Sequence, residues 1–306
     1  MYALKTTNLT KRYGNKIVVD KMNLSIDKGT IFGFLGKNGA GKSTFINMIT
    51  GIIEPTEGLY EVLGYKKNQQ KSIWGKIGVL PDYSTFYENM TALDHLKYFS
   101  QILKLDLKQE DLIELLDKVE LKDAAKLKTK NFSFGMKKKL GIAQALLNKP
   151  DLIFLDEPTS GVDANSVLNI HSIIKEIATN GTTVFLTSHN LDEVEKLCDE
   201  VAIMNKGVIQ IKGSMKELRT AYKKNMTVYI KHSVASIAQI ESLKVDLKSL
   251  SIKNEISELS SQITIEDESS IPLINKLFIS KNIDVFRIEV DEPSLEEIFL
   301  NIGDNN

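Results

Sequence analysis

Two short segments contain the residue types that bind and hydrolyse a nucleoside triphosphate. The first, at positions 36–44, reads Gly-Lys-Asn-Gly-Ala-Gly-Lys-Ser-Thr and fits the phosphate-binding pattern of Gly, four residues, then Gly-Lys-Ser/Thr. Its glycines let successive backbone N–H groups point inward at a helix N-terminus, where they meet phosphate charge. We predict that Lys42 reaches the β- and γ-phosphates and that the Ser43 hydroxyl completes the shell of a magnesium ion. The predicted nucleotide-binding residues of this loop are Gly36, Asn38, Gly39, Ala40, Gly41, Lys42, Ser43 and Thr44.

The second segment, at positions 152–157, reads Leu-Ile-Phe-Leu-Asp-Glu. An apolar run of this length is typical of a strand buried on both faces of a parallel sheet, and here it ends in two carboxylates. We predict that Asp156 holds magnesium, through water, and that Glu157 polarises the attacking water as a general base. Asp-Glu-Pro also begins ordinary loops, so this interpretation depends on the phosphate loop found with it.

The surrounding pattern supplies the elements that must position these residues. Ile31–Leu35 precedes the phosphate loop and Phe45–Ile49 follows it, which gives the order strand, loop, helix. Strands are also predicted at Leu152–Leu155 and Thr183–Thr187, with a helix between them, as in βαβ units of a parallel sheet. Residues 1–30 read as short antiparallel strands, and leucines at helical spacing from Thr91 to about Leu147 predict a helical insertion.

The composition changes after Gly213-Ser214, which we interpret as a domain boundary. Two domains suit the length of 306 residues. We predict a nucleotide-binding domain at 1–213, with its helical subdomain at about 83–147, and a small α+β accessory domain at 214–306. Strands are expected there at 228–230, 262–265 and 285–290, and helices at 271–278 and 294–300.

The charge balance disfavours nucleic acid as a partner. The chain has 39 basic and 40 acidic residues, for a net charge of −1, so no overall field attracts a polyanion. The run Lys137–Lys139 is expected to form a solvated helix face. No apolar run is long enough to span a membrane, and Met1–Lys5 reads as a strand rather than a signal peptide. We therefore expect any membrane function to require a partner.

Positions 132–140 read Phe-Ser-Phe-Gly-Met-Lys-Lys-Lys-Leu and resemble the signature motif of ATP-binding-cassette (ABC) ATPases. Further motifs occur in that family's order over residues 1–213. They are Tyr13 as the adenine-stacking aromatic, the loop at 36–44, the signature, Asp156-Glu157, the D-loop Ser160-Gly161-Val162-Asp163 and the switch histidine His189. The resemblance implies an α/β P-loop NTPase fold of the ABC type, with an antiparallel β subdomain and a helical insertion.

The resemblance also implies roles and partners. Two such domains close head to tail, so that each ATP, with Mg²⁺, lies between one phosphate loop and Ser133 and Gly135 of the other domain. His189 would contact the γ-phosphate and align the water held by Glu157, and Asp163 would couple the two sites. The partners implied are a second copy or a similar chain, and a membrane permease. The location implied is cytoplasmic, at the inner face of the cell membrane.

Two residues depart from the family pattern. Asp82 stands where the family usually has a glutamine that touches magnesium, and we predict it as a magnesium ligand that reaches the ion through water. Phe134 replaces the first of two signature glycines. Relaxed signatures of this kind are similar to those of bacterial exporters for drugs, bacitracin-type antibiotics and bacteriocins, as is the tail at 292–300. In the family, the surface at 83–93 grips the permease, and Phe86, Tyr87 and Met90 are candidates for an apolar groove there.

The leading hypothesis is therefore the ATP-hydrolysing subunit of an exporter. An importer ATPase is the nearest alternative, which a neighbouring binding protein would favour. A weakly hydrolysing regulatory module is another, suggested by Asp82 and Phe134 and opposed by Glu157. A cassette protein acting on ribosomes or DNA is a third, although such proteins usually carry two cassettes or long coiled coils.

Overall fold

The computed structural model describes residues 1–82, 85–222, 226–291 and 294–304. The chain divides into two compact units, Met1–Met215 and Lys216–Asn306. Every segment to which the sequence assigned chemistry lies in the first unit. Four residues of the segments discussed above lie outside the described residues. They are Tyr83 and Ser84 of the expected permease surface, and Glu292 and Pro293 of the tail.

Two sheets form the first unit. Its strands are β1 (Tyr2–Tyr13), β2 (Lys16–Met22), β3 (Ser25–Asp27), β4 (Ile31–Leu35), β5 (Glu57–Val62), β6 (Tyr65–Lys66), β7 (Ile77–Leu80), β8 (Leu152–Asp156), β9 (Thr183–Thr187), β10 (Glu200–Asn205) and β11 (Val208–Ser214). The first sheet is antiparallel, in the order β2-β1-β5-β6, with β3 also paired to β1. The second has the order β11-β10-β4-β9-β8-β7. It is parallel from β10 to β7, and β11 closes one edge in the antiparallel sense.

The first unit also contains helices. They are α1 (Lys42–Ile49), α2 (Gln70–Trp74), α3 (Ala92–Ile102), α4 (Gln109–Lys118), α5 (Phe134–Leu146), α6 (Ala164–Thr179) and α7 (Leu191–Leu197). The helices α3, α4 and α5 lie between β7 and β8 in the chain, which confirms the predicted helical insertion. The first three strands are antiparallel, as predicted for residues 1–30.

An aromatic core lies beneath the phosphate loop. Phe34 of β4 has its ring centroid 5.2 Å from that of Phe45 in α1 and 5.4 Å from that of Phe185 in β9. Phe154 of β8 lies 5.3 Å from Phe185. All four side chains are fully buried. Contacts of this kind stabilise beyond the area they bury, so they fix α1 on the sheet and, with it, the loop that precedes it.

The second unit begins in α8 (Met215–Tyr222). It continues through β12 (Met226–His232), α9 (Ile237–Leu247), β13 (Lys253–Ile256), β14 (Ser260–Ile265), α10 (Ile271–Ser280), β15 (Val285–Asp291) and α11 (Leu295–Asp304). The sheet order β13-β14-β12-β15 and the βαββαβ chain order are those of a ferredoxin-like fold. Its apolar core includes Val228, Leu243, Ile263 and Phe278. The α+β class and the three predicted strands are confirmed; α9 and β13 were not predicted.

Candidate functional site

The phosphate loop joins β4 to α1, and two of its glycines are required by close approach of other backbone. A Cβ atom at Gly36 would lie 2.5 Å from the carbonyl oxygen of Met204. A Cβ at Gly41 would lie 2.5 Å from the carbonyl oxygen of Val18, and Gly41 also has a φ of 111°. Both positions therefore exclude any side chain. The backbone of Met204 and that of Val18 therefore confine the loop. Its backbone N–H groups lie at the start of α1.

Lys42 is the first residue of α1, and its side chain folds back over the loop. Its Nζ donates to the carbonyl oxygen of Gly36 at 2.7 Å, and the residue is 8% exposed. Burial lowers the pKa of this ammonium, whereas the nearby carboxylates of Glu157 and Asp156 raise it. Its charge is thus placed between the loop and two acids at the end of β8, namely Asp156, its last residue, and Glu157, which follows it.

Ser43 and Asp156 meet across the sheet. The Ser43 hydroxyl lies 3.4 Å from Oδ2 of Asp156, and the other carboxylate oxygen accepts a 2.5 Å hydrogen bond from Thr187. A hydroxyl and a carboxylate at this separation suit magnesium, which prefers oxygen ligands and keeps several waters. Among the described residues, no group of three or more His, Cys, Asp or Glu side chains could hold a metal by itself. An ion here would take its remaining ligands from water and phosphate.

Glu157 has an uncommon backbone conformation, with a φ of 51°. Its N–H donates to Thr187, 3.1 Å from the hydroxyl and 3.2 Å from the carbonyl oxygen. Its Oε2 lies 2.7 Å from Nδ1 of His189. The Glu157 side chain is 13% exposed and that of His189 is 66% exposed. The structure thus brings together the predicted base and the predicted switch histidine, and it leaves the imidazole largely exposed to solvent.

A buried carboxylate that the sequence did not reveal connects these segments. Glu193 of α7 is 4% exposed, and the hydroxyl of Thr159 lies 2.7 Å from both of its carboxylate oxygens. It also accepts from Ser188 at 3.0 Å and lies 2.6 Å from Nε2 of His171. Burial opposes ionisation, but these hydrogen bonds outweigh it and hold the pKa of Glu193 below its usual value. The chain around Glu157 is thereby tied to the chain around His189.

The remaining predicted residues lie on other elements. Tyr13 ends β1, is 50% exposed, and has Nζ of Lys11 at 5.0 Å from its ring centroid. Ser133 is exposed and caps α5 by accepting a 3.2 Å hydrogen bond from the Met136 N–H. Gly135 is buried, and it packs closely on α6, since a Cβ atom built there would lie 2.9 Å from Ser166. The signature residues thus stand at the N-terminal end of α5.

The expectation of a solvated lysine face is wrong for two of the three lysines. Lys138 is 3% exposed and Lys139 is 7% exposed. Lys139 lies 2.5 Å from a carboxylate oxygen of Glu120, and Lys138 lies 3.7 Å from Oδ1 of Asp82. A buried lysine needs such partners because its charge has lost water. Asp82, predicted as a magnesium ligand, therefore has its carboxylate beside a buried ammonium.

Comparisons with known proteins agree with this geometry. The ABC transporter family matches residues 19–160, and the C-terminal domain of DrrA1-3-like ATP-binding proteins matches residues 213–302. The chain is 35% identical to the bacitracin transport ATP-binding protein BcrA of Bacillus licheniformis, over 98% of this chain and 96% of that protein. It is 33% identical to the linearmycin resistance ATP-binding protein LnrL of Bacillus subtilis, over 98% and 97%. It is 36% identical to the lantibiotic transport ATP-binding protein SrtF of Streptococcus pyogenes, over 67% and 88%.

Solved structures resemble the first unit. The ADP conformation of an ATP-binding cassette of an ABC transporter aligns with a TM-score of 0.65 and 27% identity, over 71% of this chain and 93% of that one. A dimeric bacterial ABC transporter cassette aligns with a TM-score of 0.63 and 25% identity, over 69% and 98%. In the part of this chain that the structure describes, no helix has the length and apolar character needed to cross a bilayer.

Proposed function

This chain belongs to the ABC transporter family of ATPases, and we propose that it drives an exporter that removes an antibiotic or a peptide from the cell. One observation supports the ATPase function most strongly. At the carboxyl ends of strands β4, β8 and β9 the structure brings together five side chains, those of Lys42, Ser43, Asp156, Glu157 and His189. The proposal of export is supported by relatives that match the whole chain and are named for bacitracin transport and linearmycin resistance.

In this proposal the loop and Lys42 bind the triphosphate of ATP. The Lys42 ammonium leaves the Gly36 carbonyl and turns to the β- and γ-phosphates, where a charge-assisted hydrogen bond is stronger. Ser43 and Asp156 would hold magnesium, which supplies neutralisation of the phosphate charge. Glu157 accepts the proton of the attacking water, and His189 keeps that carboxylate in place.

We further propose that the working unit is a head-to-tail dimer, either of two copies or with a similar chain. Ser133 is exposed at the N-terminal end of α5, where the helix dipole and free N–H groups favour an anion. In the dimer this end would face the γ-phosphate bound by the other subunit. A dimeric cassette among the structural neighbours supports this arrangement. Tyr13 would stack on adenine, and Asp163 would couple the two sites.

The membrane partner would bind the helical insertion, which would place this chain at the inner face of the membrane. Phe86 and Met90 are half-buried, and Tyr87 is 54% exposed. The ring of Tyr87 packs edge-on against Tyr98 of α3, with centroids 5.6 Å apart. This surface offers apolar area at the start of the insertion, as a docked permease helix requires.

The experiment that tests export replaces the native gene with the Glu157→Gln variant. The strain is then grown with a panel of bacitracin, a polyene antibiotic and several lantibiotics. We expect its sensitivity to at least one compound to rise to that of a strain lacking the gene. A strain carrying Asp192→Asn, an exposed position on α7, serves as the control. Unchanged sensitivity to every compound, together with loss of uptake of a nutrient, would contradict export and support the importer alternative.

A further inference from the structure

Lys138 lies on α5, the helix that begins at the signature. Its side chain nevertheless contacts the backbone of Glu157, the proposed base of the same subunit. Its Nζ donates to the carbonyl oxygen of Glu157 at 2.7 Å and to that of Asp82 at 3.0 Å. The carboxylate of Asp82 lies 3.7 Å away. The ammonium has three donors and its side chain is buried, so it is directed at these two segments.

The bond to Glu157 acts on a backbone held in a sparsely populated conformation. A glutamate at a φ of 51° costs free energy and persists only where its surroundings fix it. Thr187 holds the N–H of this residue and Lys138 holds its carbonyl oxygen. Lys138 therefore helps to set the direction in which the Glu157 side chain leaves the backbone.

The second departure from the family pattern meets the same cluster. Phe134 precedes Lys138 by one helical turn, and the Lys138 ammonium lies 5.7 Å from its ring centroid, within cation–π range. A Cβ built at Gly161 of the D-loop would lie 3.2 Å from the Phe134 ring. Asp82, Phe134 and Lys138 thus form one contact network between the N-terminal end of α5 and Glu157.

We propose that Lys138 is a positioning residue that links Glu157 and Asp82 of one ATP site to Ser133, the residue that the same chain presents to the other ATP. The inference rests on the proposed head-to-tail dimer. Because Lys138 is buried, it cannot touch a partner subunit itself. Any effect of its removal on dimer formation must pass through the position of α5 or of Glu157.

The test uses the full-length chain carrying Glu157→Gln as the parent, since the proposed function predicts that a chain without the base keeps its ATP and stays dimeric. Sedimentation velocity in magnesium-ATP gives the dimer dissociation constant, and a fluorescent ATP analogue gives the affinity of the monomer for nucleotide. Lys138→Met is compared with Lys139→Met, a buried neighbour on the same helix whose partner is Glu120 of the insertion. Lys138→Arg retains the charge, and Lys138→Gln is a milder variant for use if Lys138→Met does not fold.

We expect Lys138→Met to raise the dimer dissociation constant about tenfold, a typical size for coupling between two sites, because Ser133 and Glu157 are then no longer held where the closed dimer requires them. Nucleotide affinity of the monomer should stay within about twofold, because Lys138 does not contact the phosphate loop. Lys139→Met should change neither value, and Lys138→Arg should restore most of the dimer. Equal dimer affinity in Lys138→Met and the parent, or equal loss in both lysine variants, would overturn the inference. A parent that never dimerises would instead overturn the proposed function, and this inference with it.

Discussion

At the scale of single residues, the buried carboxylate of Glu193 is the connection that holds the site together. Three side chains contact it: Thr159, in the segment after β8, Ser188, directly after β9, and His171 of α6. Removing one member of such a network leaves buried donors without an acceptor, which costs more than the bond itself contributed. The position of His189 relative to Glu157 therefore depends on a residue that touches neither.

We predict that Glu193→Gln lowers the free energy of unfolding by about 1–3 kcal/mol, because an amide N–H replaces an oxygen that accepts hydrogen bonds. ATP turnover should fall with it. Chemical denaturation of the purified chain measures the first effect and a phosphate-release assay the second. Asp192→Asn, an exposed neighbour, should stay within about 0.5 kcal/mol of wild type. Unfolding curves that coincide for Glu193→Gln and wild type would contradict this account of the network.

The same pair of proteins should differ in a pH-dependent way. The pKa of Glu193 is lowered in the folded chain, so ionisation stabilises the fold above the unfolded value of about 4.3. That contribution is lost as the pH falls through the lower folded value. The difference in unfolding free energy between wild type and Glu193→Gln should thus shrink below about pH 4. A difference that grows on acidification would show that the carboxyl is protonated in the native state.

Lys42→Ala tests the phosphate loop alone. Loss of a charge-assisted hydrogen bond to phosphate should weaken ATP binding by about 10- to 100-fold. Isothermal titration calorimetry measures this directly. Lys37→Ala, in the same loop but exposed, is the matched control and should bind ATP nearly as wild type does. Unaltered affinity in Lys42→Ala would contradict the assigned loop geometry.

The residues that sequence alone identified are those whose chemistry lies in one contiguous segment. Lys42 and Ser43 lie in the segment 36–44, and Asp156 and Glu157 end the segment 152–157, so spacing and residue type suffice. Glu193 and Lys138 act on segments far away in the chain, and such pairing leaves no local pattern. For the same reason, the sequence wrongly predicted that Lys138 and Lys139 are solvated. Their partners in the folded chain, Asp82 and Glu120, lie far from them in the sequence.

At the scale of elements, the packing of α5 against β7 sets where the signature lies. A Cβ at Gly78 of β7 would lie 2.1 Å from the carbonyl oxygen of Ala145, near the end of α5. The strand and the helix therefore approach as closely as backbone atoms allow. Asp82 follows β7 and Lys138 lies on α5, so this contact also fixes the distance between them.

We predict that Gly78→Ala lowers the free energy of unfolding by about 1–3 kcal/mol, since the added methyl must push α5 from the sheet. Gly75→Ala, nearby in the chain, is the control. Its Cβ would meet nothing closer than 3.9 Å, and its φ of −67° suits alanine. Thermal denaturation of both variants measures the difference. Equal melting temperatures for Gly78→Ala and wild type would show that α5 can shift without cost.

Elements with strong periodicity were predicted, and short or polar ones were not. Buried strands β4, β8 and β9 stand out because both faces are apolar. The edge strand β13, Lys-Asn-Glu-Ile, has one apolar residue and no recognisable alternation. Helix α9 carried a usable signal, because Ser236, its N-cap, and Gln239, in its first turn, form a capping box.

At the scale of the whole molecule, each of the two units has its own apolar core. The phosphate loop belongs to the first unit only. We predict that ATP at a hundredfold excess over its dissociation constant stabilises that unit by about 2.7 kcal/mol. Phe278→Ala, in the core of the second unit, should destabilise the second unit by about 3–5 kcal/mol. Differential scanning calorimetry with and without ATP should find the two effects on different transitions. One shared transition that responds to both changes would contradict this division.

In the proposed function, Glu157 is the base of an ATPase whose bound nucleotide joins two subunits. The most direct measurement compares magnesium-ATP turnover of the wild type and Glu157→Gln, with size-exclusion chromatography of each in ATP. We expect the variant to turn over ATP more slowly by about two or more orders of magnitude and to form a stable ATP-bound dimer. Unchanged turnover, or a variant that stays monomeric in saturating ATP, would contradict the proposed function.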